Sequence, residues 1–218
     1  MIHSTAGERK FPLGSARKTA LHRLTRRIPL FNMTPYKERR QPGGSEQFGS
    51  VKAEETEAMK KTNAMRILEA AGIPYESVEY RWDEDHLDAI SAAQKLHIDP
   101  DALFKTIVMI GEDNTVGVFC VPAPRSVSLK KIKNITGKKL VPLKLTELQK
   151  TTGYIRGGCS PIGMKKHFPT LIDETAQLYD HIYVSAGERG YMLRIAPADL
   201  QAICAAAFAD IQEETAKN

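Results

Sequence analysis

The sequence predicts an α+β fold: a single mixed, curved β-sheet with helices around it. Three observations carry that expectation. Short apolar runs of strand character outnumber the segments that could serve as helical crossovers between parallel strands. Two of those runs, residues 103–110 and 115–121, flank Gly111-Glu112-Asp113-Asn114, a hairpin signal. All of this patterning follows Met59, whereas upstream the apolar residues are scattered.

In chain order, residues 62–71 have helical spacing. Thr62 or Asn63 can cap, Met65, Ile67 and Leu68 supply an apolar side, and Gly72 ends the run. Residues 75–80 read as a short strand before a charged turn. Residues 86–97 suit a second helix, with Leu87, Ile90, Ala92, Ala93 and Leu96 mostly on one side and Asp99-Pro100 closing it. After the hairpin, Ser128 opens a lysine-rich helix that ends near Gly137, and residues 145–150 form a shorter one. Three more strands are expected at 170–172, 182–185 and 191–195, with Gly187 and Gly190 turning the chain between the last two. A terminal helix over 199–208 is expected to cover the sheet.

Charge divides the chain. Residues 1–58 carry 11 Lys or Arg against 6 Asp or Glu, while residues 59–218 carry 20 of each sign. The net +5 is therefore a property of the first quarter. That quarter is expected to be a disordered basic extension, with Gln41-Pro42-Gly43-Gly44-Ser45 as a flexible linker. An upstream extension, a nucleic-acid tail and a transit peptide all remain open for it. The neutral part is itself polarised: eight basic residues lie between Arg125 and Lys150 against Glu147 alone. They form either a phosphate-binding face or a solvated helix surface.

Cys120, Cys159 and Cys204 are far apart and make no CxxC pair. That usage fits a reducing compartment, and a cytoplasmic protein is expected. No apolar run approaches the length of a membrane span. The six histidines have no metal-site spacing, and neither metal nor cofactor is expected.

The segment richest in possible chemistry is Gly157-Gly158-Cys159-Ser160-Pro161-Ile162-Gly163-Met164-Lys165-Lys166. Its glycines let a ligand approach the main chain, and its N–H groups suit a carbonyl or a phosphate. It is neither a G-x-S-x-G elbow nor a G-x-x-x-x-G-K-[ST] phosphate loop, because Met164 stands where the lysine should be. Ser160 needs a nearby base to be a nucleophile, and His167 is the neighbour in sequence. Cys159 is either a thiol nucleophile or a small filler. Lys105 opens an apolar strand, either as an edge lysine reaching water or as a cation aimed into a cleft. Tyr80 is either packing or a cleft residue. Asp173 is either a helix cap or a site carboxylate.

Taken together, Phe104-Lys105-Thr106, Thr152-Gly153-Tyr154, the 157–163 loop, Lys165-Lys166, Pro169-Thr170-Leu171-Ile172-Asp173 and Ile182-Tyr183-Val184-Ser185-Ala186-Gly187 resemble the YbaK/EbsC family of free-standing aminoacyl-tRNA editing domains. The likeness runs over most of residues 62–211, within a domain expected at 59–218. It implies a trans-editing deacylase, most similar to members that act on Cys-tRNA(Pro) and Cys-tRNA(Cys). The family lysine falls on Lys105, which it implies positions the terminal adenosine and assists the ester carbonyl. The family glycine loop falls on Gly157, Gly158 and Ser160. Tyr80, Thr106, Tyr154, Gly163 and Asp173 are implied substrate contacts. The cysteine-specific route uses the substrate's own thiol, leaving Cys159 dispensable. The implied partner is the acceptor end of an aminoacyl-tRNA, with prolyl-tRNA synthetase a candidate source of tRNA selectivity. Deacylation of Ala-tRNA(Pro) or another small aminoacyl-tRNA, and non-catalytic tRNA binding, are the alternatives.

Overall fold

The computed structural model describes residues 61–214; the expected basic extension, residues 1–58, lies outside them. Helix α1 (Asn63–Ala70) starts where Thr62 accepts a hydrogen bond from the Met65 N–H. Strand β1 (Glu76–Glu79) follows, then α2 (Ala89–Leu96) and a 3-10 turn at Pro100–Ala102. The hairpin is β2 (Phe104–Gly111) and β3 (Val116–Pro122). Helix α3 (Leu129–Thr136) is capped by Ser128 and ended by Gly137, as expected. Then come β4 (Leu140–Pro142), α4 (Leu145–Thr152), β5 (Thr170–Asp173) and a 3-10 helix at Glu174–Leu178. The chain closes with β6 (Ile182–Ser185), β7 (Tyr191–Ile195), α5 (Pro197–Cys204) and β8 (Ala207–Ala209).

The α+β class holds, but the expected single sheet resolves into two ladders. One has three antiparallel strands in the order β1-β7-β6. The other has five, β4-β2-β3-β5-β8, and is mixed: β3 pairs antiparallel with β2 and parallel with β5. A lone parallel bridge, Leu103 to Tyr183, joins the two. Beyond that bridge, the ladders are joined by packing, with Phe104, Cys120 and Ile172 in one core with Ile182, Val184 and Leu193.

β3 shows why its sequence is a continuous apolar run. Cys120 packs in a core with Phe104, Ile172 and Leu193, whereas Phe119 and Val121 pack with Met109, Ile132 and Ile211 on the other side. A strand buried on both faces loses the in–out alternation of a half-exposed one.

The terminal helix ends earlier than expected. Ala205 takes a left-handed conformation, φ 46°, and the next residues pair with β5 instead of continuing the helix. Sequence gave no breaker there, because alanine favours helix. The competing gain is tertiary: β8 covers the edge of β5. Beyond β8, the Ile211 and Gln212 N–H groups donate to the buried Asp173 carboxylate.

Candidate active site

A cavity of about 410 Å³ opens where the two ladders part. Five consecutive residues of β2, Phe104 to Val108, line it. Side chains alternate faces along a strand, so a cavity that touches five in a row lies against the strand's edge. That edge is open because β4 pairs only with Met109–Gly111. Tyr80, Ser185 and Met192 face it from the three-stranded side, and Gly157 and Cys159 close it from the glycine loop.

Lys105 is half-buried in this cavity, and its Nζ donates to the Ala123 carbonyl at 2.8 Å. Burial pushes its pKa below the usual lysine value, and the Asp88 carboxylate opposes that shift. The ammonium therefore meets the ligand space with donors to spare. Arg156 is a second cation on the wall. Near it, Arg189 donates to the Arg156 carbonyl at 3.0 Å and lies over the Trp82 ring, 4.9 Å from its centroid. Arg189 thereby braces the entrance of the glycine loop.

Gly157 has φ +84° and lines the cavity; a Cβ there would come 3.1 Å from Leu87. Gly158 lies behind it, pressed on the backbone of Glu188 and Arg189, where a Cβ would sit 3.1 Å from each. Ser160 is fully buried, and its Oγ accepts from the Ile162 N–H at 3.2 Å. It is absent from the cavity lining, so its hydroxyl folds the loop and does not face the ligand space. Tyr154 is also behind the loop, donating its hydroxyl to the Ile162 carbonyl at 2.6 Å. Gly163 accepts from the Asn63 amide at 3.2 Å, which ties the loop to α1.

The residues expected to act together thus divide. Lys105, Thr106, Tyr80 and Gly157 share the cavity. Gly158, Ser160, Tyr154 and Gly163 build the loop from behind. Asp173 lines neither the cavity nor the loop: it is fully buried and accepts from Thr175, Ile211 and Gln212. Of its two readings, the structure gives the cap.

Cys159 lines the cavity, but burial pushes its thiol up to about 12. It is protonated at neutral pH and a poor nucleophile. Among the described residues no group of three His, Cys, Asp or Glu is placed to hold a metal. No helix among them is long and apolar enough to cross a membrane.

Two wall residues were not singled out in the sequence. Arg156 directly precedes the glycine loop, and a cation beside a glycine-rich turn was a usable signal. Asp88 was placed inside a helix over 86–97, yet it is the cap of α2, accepting from the Ser91 N–H at 2.9 Å. The Asp-x-x-Ser spacing carried that information.

Residues 83–203 match the model of the aminoacyl-tRNA editing domain. The chain belongs to that family. A relative from Enterococcus faecalis, EbsC, is 46% identical over 70% of this chain and 93% of its own length. It carries a proposed Cys-tRNA(Pro)/Cys-tRNA(Cys) deacylase activity in its name. Among solved structures, a proposed trans-editing enzyme for prolyl tRNA synthetase superposes with a TM-score of 0.62 at 25% identity, over 70% of this chain and 99% of that one. The protein APE2540 superposes with a TM-score of 0.63 at 20% identity, over 68% and 97%, and shows the shared fold. The editing family of this chain is thus the YbaK/EbsC one, whose activity is trans-editing deacylation.

Proposed function

We propose that this editing domain removes cysteine from Cys-tRNA(Pro) and Cys-tRNA(Cys), with the aminoacyl ester held between Lys105 and the Gly157 turn. One observation carries the reading: the Lys105 ammonium and the Gly157 backbone line the same cavity, whose 410 Å³ lies within the roughly 300–1,000 Å³ of small-molecule sites. The 46% identity to the Enterococcus faecalis relative supports the cysteine assignment.

The chemistry follows from what lines the cavity. Lys105 offers a positive charge where the ester carbonyl or the terminal phosphate rests, and an ammonium in a partly desolvated site stabilises developing negative charge strongly. The two nucleophile candidates of the glycine loop do not serve, since Ser160 faces away and the Cys159 thiol is protonated. The substrate's own thiol fills that role. Its sulfur attacks the ester carbonyl, the carbon–oxygen bond to ribose breaks, and the thiol proton ends on the ribose oxygen. The products are a cysteine thiolactone and a free tRNA 3′ end. Holding thiol and ester together in a confined wall supplies the proximity that this step needs.

The test is deacylation of purified Cys-, Ala-, Ser- and Pro-tRNA by the full chain. Turnover of Cys-tRNA well above the other three is the expected result. Preference for Ala-tRNA(Pro) assigns a different small amino acid, and binding without turnover of any substrate makes the domain a tRNA-binding module.

A further inference from the structure

Among the described residues that line the cavity, Lys105 and Arg156 are the cations and Asp88 is the one carboxylate. An aminoacyl ester is itself a paired-charge ligand: a phosphate and an electron-rich carbonyl at one end, and a free α-ammonium next to that carbonyl. The two cations suit the first end, and they leave the second without a partner.

Asp88 is held for such a role. Its Oδ1 accepts from the Ser91 N–H at 2.9 Å and its Oδ2 from the Ser91 hydroxyl at 2.7 Å. The Asp88 and Ile90 N–H groups also bear on it, and together these bonds hold the carboxylate charged and fixed in orientation. It is exposed toward solvent at the cavity wall. Asp88 and Lys105 line the same space, and the carboxylate's charge reaches the ammonium.

Building on the deacylase reading above, we infer that Asp88 binds the α-ammonium of the aminoacyl group and makes this site selective for esters with a free amine. An N-acylated ester, such as the 3′ end of a peptidyl-tRNA, presents a neutral amide there and leaves the carboxylate unpaired. A site of this kind spares growing chains while it clears mischarged single residues.

Asparagine caps helices as well as aspartate does, so Asp88→Asn removes the charge and keeps the α2 cap. The experiment compares kcat/KM for Cys-tRNA(Pro) and N-acetyl-Cys-tRNA(Pro), in the wild-type chain and in Asp88→Asn. Wild type is expected to prefer the free amine by about ten- to a hundredfold, the span of one charge-assisted hydrogen bond. Asp88→Asn is expected to lose most of that preference, because use of the free amine falls much further than use of the N-acetyl ester. Equal use of both esters by wild type overturns the inference and leaves the deacylase reading intact. The same holds if Asp88→Asn, with an unchanged melting curve, keeps the full preference. Failure of wild type to deacylate either ester overturns both.

Discussion

Lys105 and Cys159 share one cavity and are given opposite parts by their surroundings. Burial depresses the lysine pKa, so its charged form is complete below that value and is lost as pH rises through it. A reaction that needs the ammonium should therefore decline at a lower pH than an ordinary lysine would allow. A pH–rate profile of wild type should show that alkaline limb, and Lys105→Ala should lack it. Burial acts on Cys159 in the other sense: it raises the thiol to about 12 and keeps it neutral. Cys159→Ala should retain activity within about threefold, since it deletes an unreactive side chain. Loss of turnover in that variant, with the fold intact, would return the cysteine to the role of nucleophile. Sequence left both residues with two readings each. What the sequence could not supply is their surroundings, such as Asp88 and Ala123 around Lys105, which are distant along the chain.

At the scale of elements, the glycine loop depends on what stands behind it. The ring of Tyr154 fills the space beside Gly187, where φ is +96° and a Cβ would come 2.8 Å from the ring. Gly187→Ala should lower stability by about 1–3 kcal/mol, from overpacking and a conformation alanine resists, read as a fall in Tm. Asp173 fastens the turn after β5 to the terminal segment through bonds to Thr175, Ile211 and Gln212. Asp173→Ala leaves those donors unpaired and should cost about 3 kcal/mol or more, a drop in Tm of roughly 6–12 °C. If its effect falls on activity with Tm unchanged, Asp173 is a site residue after all. The helices were legible because their caps are local: Thr62, Ser128 and Gly137 sit where the spacing put them. β4 and β8 were not, because each has three residues and exists only by pairing with β2 or β5.

At the scale of the whole molecule, the strands and the ligand space were legible to different degrees. The β2–β3 hairpin and the β6–β7 pair announced themselves through apolar runs and turn residues. The split into two ladders did not, since no local pattern says which strands will share an edge, and the cavity is a product of that split. The basic run from Arg125 to Lys150 is also less charged than its sequence suggests. Arg125, Lys131 and Lys138 pair with Asp101, Asp210 and Asp113. Lys130, Lys133, Lys139 and Lys144 remain exposed for a nucleic-acid backbone. Few phosphate contacts mean modest affinity that weakens with salt, so a titration of tRNA binding should show a shallow negative slope of log K against log salt. The cavity itself is tested most directly by the single-turnover rate of Cys-tRNA(Pro) deacylation in Lys105→Ala, with its melting curve matched to wild type. A loss of about a hundredfold or more is expected if this half-buried charge stabilises the ester's transition state as proposed. A rate equal to wild type would contradict the placement of the ester between Lys105 and the Gly157 turn.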